Sequence, residues 1–89
     1  MILYVLEIKK LETYKIGVTD NLEKRIKQLQ TGSPEEITVV NYFEYELPKQ
    51  AFKIEKILHK KFKKYQTKGE WFKGISTKDI EKVIFSNKI

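Results

Sequence analysis

The sequence predicts an α+β fold, a small central antiparallel or mixed three-stranded sheet flanked by helices in the order β-β-α-β-α-(β)-α. Three observations predict it. Residues Ile2 to Ile8 are β-formers that alternate, with Ile2, Tyr4, Leu6 and Ile8 on one side and Leu3, Val5 and Glu7 on the other. Leu22, Ile26 and Leu29 recur at i, i+4 and i+7 behind an acidic start, the period of a helix. Ala51, Ile54, Leu58, Phe62 and Tyr65 share one helical arc, with most lysines opposite. With 89 residues, no Ser/Gly/Pro-rich linker and no internal repeat, the chain reads as a single domain over residues 1–89. A domain of this size buries only about 60–65% of its unfolded-chain surface, so functional groups must sit on the rim of a thin core.

Composition narrows the class. At 40% hydrophobic and 34% charged residues the chain is globular, not disordered. The absence of cysteine excludes disulfides and thiolate metal sites and fits a reducing, cytoplasmic compartment. The apolar runs are a few residues long, far below the roughly 20 a bilayer requires, and the apolar start has no basic leader or small-residue cleavage site, so an intracellular protein without a membrane span is expected.

The net charge of +6 is unevenly placed. Between Lys49 and Lys64 seven lysines face one acid, Glu55, so this segment alone carries +6 and the other basic and acidic residues cancel. A concentrated basic face suits a polyanion such as nucleic acid; the plainer alternative is a solvated lysine face on an amphipathic helix.

Taken in order, the first strand is followed by a short polar connection, Lys9 to Glu12, and a second strand, Thr13 to Val18, so the two are expected to pair as a hairpin. Tyr4 and Tyr14 then lie on neighbouring strands, but a one-residue slip decides whether they share a face. Asp20 with Glu23 has the form of a capping box opening a helix of about three turns, and Gly32, suited to a left-handed C-cap, closes it with Pro34. At about 100° per residue Arg25 falls beside Leu22 and Leu29 at the edge of the buried stripe, whereas Lys24 and Lys27 point away. Ile37 to Tyr45 reads as a third strand, central or well covered.

Pro48 suits the first turn of a second helix that runs from about Lys49 to Tyr65. Glu55 lies inside the apolar arc of that helix, and His59 and Phe52 border it. A carboxylate on a buried face costs several kcal/mol if unpaired, so Glu55 requires a counter-charge, a proton or a metal. Gln66 to Gly69 reads as a turn, Glu70-Trp71-Phe72 as a short extended segment closing the core, and Ser76 with Asp79 opens a last helix through Ile80, Val83 and Ile84.

These residues carry a resemblance. Leu3-Tyr4-Val5, then Tyr14-Lys15-Ile16-Gly17, Arg25 and Glu55 resemble the GIY-YIG nuclease superfamily. The longer set, with Gln28-Leu29-Gln30-Thr31-Gly32-Ser33-Pro34, Leu58-His59, Phe62 and Glu70-Trp71-Phe72 added, is similar to the phage T5 Orf172-type domain of that superfamily. It covers Tyr4 to Phe72, and the order and spacing of the motifs together are more specific than any one alone.

The resemblance implies a metal-dependent phosphodiesterase site that nicks or cleaves DNA, duplex or branched. Tyr4 would lie near the attacking water as general base, Tyr14 would help bind phosphate or activate that water, Arg25 would neutralise the phosphate, and Glu55 would ligate one divalent ion, Mg2+ or Mn2+. Gly17 would allow close approach of the backbone, with Lys15 and His59 in support. Lys53, Lys56, Lys60, Lys63 and Lys64 would contact DNA. The alternative within the same fold is a DNA-binding module that does not cleave, and an oligomer is left open.

The chemistry asks for the same groups, because phosphodiester hydrolysis builds negative charge that a guanidinium and a hard cation stabilise. The base role asks most of Tyr4, since a phenol near pKa 10 needs a strong downward shift. Folding alone offers other readings: Tyr4 and Tyr14 as strand aromatics, Arg25 and Glu55 as an ion pair joining two helices, His59 hydrogen-bonded to Glu55, touching phosphate or simply packed. The chain also departs from the wider superfamily, with Leu29 where many members place a histidine or tyrosine, and Asn87 as its only late asparagine.

Overall fold

A computed structural model describes residues 1–87. The hub is strand β1 (Ile2–Ile8), which pairs antiparallel with β2 (Thr13–Thr19) on one side and with β3 (Thr38–Glu44) on the other. Beyond β2 lie β5 (Trp71–Lys73) and then β4 (Gln66–Lys68), giving an antiparallel sheet of order β3-β1-β2-β5-β4. The sheet thus has five strands where the sequence predicts three. Of the two extra strands, β5 overlaps the expected extended segment Glu70-Trp71-Phe72, whereas β4 lies in the stretch expected to be a turn; each is three residues, too short for alternation to declare it, and Gly69 at φ 55° makes the turn that folds them into a hairpin.

Helix α1 (Leu22–Thr31) covers one face of the sheet, and α2 (Pro48–Lys61) and α3 (Thr77–Ser86) cover the other. Period-2 alternation therefore sends β1 into two cores. Leu3 and Val5 pack with Ile16, Ile54, Leu58, Phe72 and Ile80, while Tyr4, Leu6 and Ile8 pack with Ile37 beneath Leu22, Ile26 and Leu29 of α1. Covered on both faces, the four residues Leu3 to Leu6 are at most 1% exposed. Among the described residues no helix is long and apolar enough to cross a membrane.

Several local expectations are corrected. The third strand, expected to be central or well covered, is an edge strand with Val39 and Tyr42 exposed, because it pairs with β1 alone. The cap of α1 is Asn21, whose side chain accepts from Lys24 N at 3.1 Å, and not Asp20 one residue earlier. Gly32 closes α1 at φ −90° instead of in the left-handed region. Helix α2 ends at Lys61, and the apolar arc continues to Tyr65 only through a 3-10 turn (Lys63–Tyr65). The Ser76/Asp79 capping box of α3 is present in both directions.

The run from Gln28 to Pro34 has a folding role. The Gln30 side chain donates to Glu35 O at 2.9 Å and accepts from Ile37 N at 2.8 Å, and Ser33 Oγ also donates to Glu35 O. Together they clamp the passage from α1 into β3, which satisfies backbone groups that a turn would otherwise leave unpaired.

Candidate active site at the open edge of β2

The pairing of β5 with β2 covers only Thr13 to Lys15. At the next residue the chain of β5 turns away, and two other groups take over the ladder: Ile16 N–H donates to Glu70 O at 3.3 Å, and Ile16 O accepts from His59 Nε2 at 2.8 Å. A notch opens beside Gly17. Side chains from both faces of the sheet can meet there, which the middle of a sheet forbids.

Tyr4 reaches the notch across Gly17, its direct partner on β2. A Cβ at Gly17 would stand 2.5 Å from Tyr4 Cζ and closer still to the hydroxyl, so the ring lies in space that only glycine leaves free. Gly17→Ala is therefore expected to drive the phenol out of place and to cost about 1–3 kcal/mol, the range for overpacking a tight core, read as a drop in the urea midpoint.

Arg25 leans from α1 onto the same hydroxyl, with Nε donating to Tyr4 Oη at 3.5 Å. Burial pushes the Tyr4 phenol above its ordinary 10.0; the Arg25 hydrogen bond opposes this and the charges of Glu70 and Glu55 add to it. The net direction is opposite to the shift a base role requires, so Tyr4 stands here as a protonated phenol. The same hydrogen bond pushes Arg25 up, so it stays charged.

Tyr14 does not share a face with Tyr4. It lies opposite Glu7 and Phe72, on the face that packs against α2 and α3, whereas Tyr4 faces α1. The β2 residue on the Tyr4 face is Lys15, two before Gly17. Lys15 is only 7% exposed, with Nζ 3.2 Å from Glu70 Oε1 and 5.4 Å from the centroid of Trp71. A buried ammonium held by a carboxylate and an aromatic face is a fixed positive charge on the Tyr4 side of the sheet.

From the other face α2 supplies Glu55 and His59, and the β4–β5 turn supplies Glu70. One ligand atom of each lies within 4.8 Å of the others. Among the described residues Glu55 forms no ion pair, with Arg25 or with any other residue. Burial and then the Glu70 charge push its carboxyl above the ordinary 4.5, against the weaker pull of His59 and Lys15. Folding thus disfavours the charged form, and the resulting penalty grows as pH rises from about the ordinary carboxyl range through the raised value. In metal-free buffer Glu55→Gln is expected to raise the urea midpoint at pH 7 and to leave it unchanged near pH 3.

Lys53, Lys56, Lys60, Lys63 and Lys64 are all exposed. On α2 the lysines at 56, 60 and 53 follow His59 around the helix at roughly 60° to 120°, so the basic face borders the notch. The cluster is open; a groove of about 610 Å³ between α2 and α3, lined by Ile57, Phe62, Ile75 and Val83, contains none of it. An open cluster flanked by lysines fits a polymer better than an enclosed small molecule.

Sequence reasoning undervalued Glu70, whose part depends on the β4–β5 turn and on Lys15. The signal for Lys15 was its place two residues before Gly17, which puts it on the same face as that glycine.

The result is a three-layer α+β domain with an arginine, a phenol, a buried lysine and two carboxylates at one sheet edge, beside a lysine-rich helix whose charge suits a polyanion. The chain belongs to the T5orf172 domain family, whose profile matches residues 1–88. That family is compatible with a nuclease-like or DNA-binding module. No curated protein and no solved structure matches the chain.

Proposed function

We propose that the domain is a divalent-metal-dependent DNA endonuclease of the GIY-YIG type that hydrolyses or nicks phosphodiester bonds at the open edge of β2. The observation that carries this reading is the convergence there of Arg25 and Tyr4 from one face with Glu55 and His59 from the other. The donor set also suits a cation, since the ligand atoms of Glu55, His59 and Glu70 lie within 4.8 Å. Of these, Glu55 is the ligand the resemblance implies for Mg2+ or Mn2+.

When bound, the ion supplies Lewis-acid stabilisation of the phosphoryl oxygens and lowers the pKa of bound water. The chain's own groups do the rest. Arg25, fixed over the notch by Tyr4, offers a fork of N–H donors to a non-bridging phosphate oxygen. The Tyr4 phenol, held protonated by burial, donates a hydrogen bond to the phosphate or orients the attacking water. Lys15 provides a second positive charge on the same face and helps bind the phosphate, a part the resemblance gives to Tyr14. The lysines of α2 hold the DNA backbone on either side.

One observation favours the DNA-binding module that does not cleave: Lys15 already supplies Glu70 with a cation at 3.2 Å, so part of the acidic charge is balanced by the protein itself. Nicking of supercoiled plasmid with Mg2+ or Mn2+ separates the two. Cleavage by the parent and its loss in Glu55→Ala support the enzyme. Salt-dependent duplex binding, with a log–log slope of about −0.9 per phosphate contact, but no nicking with any ion, supports the module.

A further inference from the structure

We infer that Glu55, His59 and Glu70 together form a three-ligand cation site whose imidazole donor selects a transition-metal ion such as zinc or cobalt over magnesium. The inference deepens the nuclease reading and takes from it only that a cation belongs at the notch.

Four features of the cluster support it. First, the ligand atoms are near one another. In a tetrahedral site with ligands at about 2.0–2.2 Å from the ion, neighbouring ligand atoms are roughly 3.3–3.6 Å apart, so atoms within 4.8 Å must close by up to about 1.5 Å, a shift within reach of side-chain rotation. Second, Glu55 and His59 stand four residues apart on α2, which turns them about 40° from each other and presents both to the same notch.

Third, His59 is aimed. A carbonyl oxygen can only accept, so the 2.8 Å contact with Ile16 O places the ring proton on Nε2 and leaves Nδ1 as the nitrogen with a lone pair to give. A ring nitrogen donating to a backbone carbonyl while the other ligates is the usual arrangement of metal-bound imidazole. Edge-to-face packing on Phe72, at 5.1 Å between centroids, fixes the ring plane as well. Fourth, Glu70 spends one oxygen on Lys15 Nζ, and its other oxygen remains for an ion.

This donor set does not match magnesium, which prefers oxygen ligands and keeps several waters. Imidazole favours zinc and cobalt, and affinity rises from manganese to cobalt along the divalent series. Two carboxylates and a divalent ion would cancel, so Lys15 and Arg25 would leave the occupied site positive towards a phosphate.

The test is titration of the metal-free domain, without DNA, by calorimetry with Mg2+, Mn2+ and Zn2+ and by visible absorption with Co2+. The expected result is one ion per chain, with zinc bound at least about tenfold more tightly than magnesium and visible cobalt bands. His59→Gln and Glu70→Gln should each weaken zinc binding by about 10–100-fold, as ligand-sphere changes do. Should His59→Gln fail to fold after losing its bond to Ile16, Glu70→Gln on the exposed turn carries the test. Magnesium binding as tight as zinc, or zinc binding unchanged in Glu70→Gln, would overturn the inference. Zinc binding as expected without any nicking removes the nuclease reading alone, and magnesium-driven nicking with zinc titrations unaffected by the substitutions removes this inference alone.

Discussion

Arg25→Ala is expected to lower plasmid nicking by about 10²–10³-fold, the loss typical of removing one donor aimed at charge developing in a transition state. Arg25 lies at the rim of α1, half-buried, and its hydrogen-bond partner is the Tyr4 hydroxyl at 3.5 Å, so its removal opens no core cavity and costs one long hydrogen bond. Stability should therefore change little while catalysis collapses. Arg25→Lys should recover only part of the rate, because an ammonium keeps the charge but cannot offer the planar fork to a phosphate and bond Tyr4 as well. Equal losses in folding and in nicking would place Arg25 in the scaffold instead.

The largest effect on stability is expected at Phe72. It is fully buried, pairs with Tyr14 across the β2–β5 ladder and supports His59 edge-on. Phe72→Ala should cost about 3–5 kcal/mol. For a domain of this length the whole stability is of the order of 4–13 kcal/mol, so much of the reserve would go. The loss should be read in the urea midpoint, and amide exchange should show the β4–β5 hairpin losing protection first, since three-residue strands have little else to hold them. Because the hairpin delivers Glu70 to the notch, zinc affinity should fall in the same variant.

The alternation of Ile2 to Ile8 and the two helical stripes were enough to place β1, α1 and α2, while the β-formers after the polar connection placed β2 and the Ser76/Asp79 capping box placed α3. Of the β4–β5 hairpin only the extended segment at Glu70-Trp71-Phe72 was legible; β4 was out of reach, since a strand of three polar residues shows no period and owes its existence to its pairing with β5, with Phe72 in the core and Gly69 in the turn. The edge position of β3 was hidden for a different reason: a strand rich in Val, Tyr and Phe reads as covered whether or not a neighbour covers it. Asn21, rather than Asp20, caps α1 because both residue types cap equally well and only the chain's path chooses between them.

The candidate site divides along similar lines. Arg25 at the edge of the α1 stripe and Glu55 inside the α2 arc were legible from helical angle alone, as was the closeness of His59 to Glu55. What periodicity could not give was register. Pairing of Tyr4 with Gly17 places Lys15, and not Tyr14, on the Tyr4 face, and no local signal in either strand fixes that choice. The expected meeting of Arg25 and Glu55 also takes a different form. Each acts on Tyr4, from opposite faces of the sheet, without pairing with the other.

The claim that Lys15, on the Tyr4 face, and not Tyr14 supports the phosphate at the open edge of β2 is tested most directly by nicking rates of Lys15→Met beside Tyr14→Phe. Methionine keeps the buried volume of Lys15 and removes only its charge, and phenylalanine removes only the Tyr14 hydroxyl. The account predicts a loss of about tenfold to a hundredfold in Lys15→Met, the worth of a charged hydrogen bond, and a rate within about twofold of the parent in Tyr14→Phe. The reverse pattern, with Tyr14→Phe crippled and Lys15→Met intact, would contradict it.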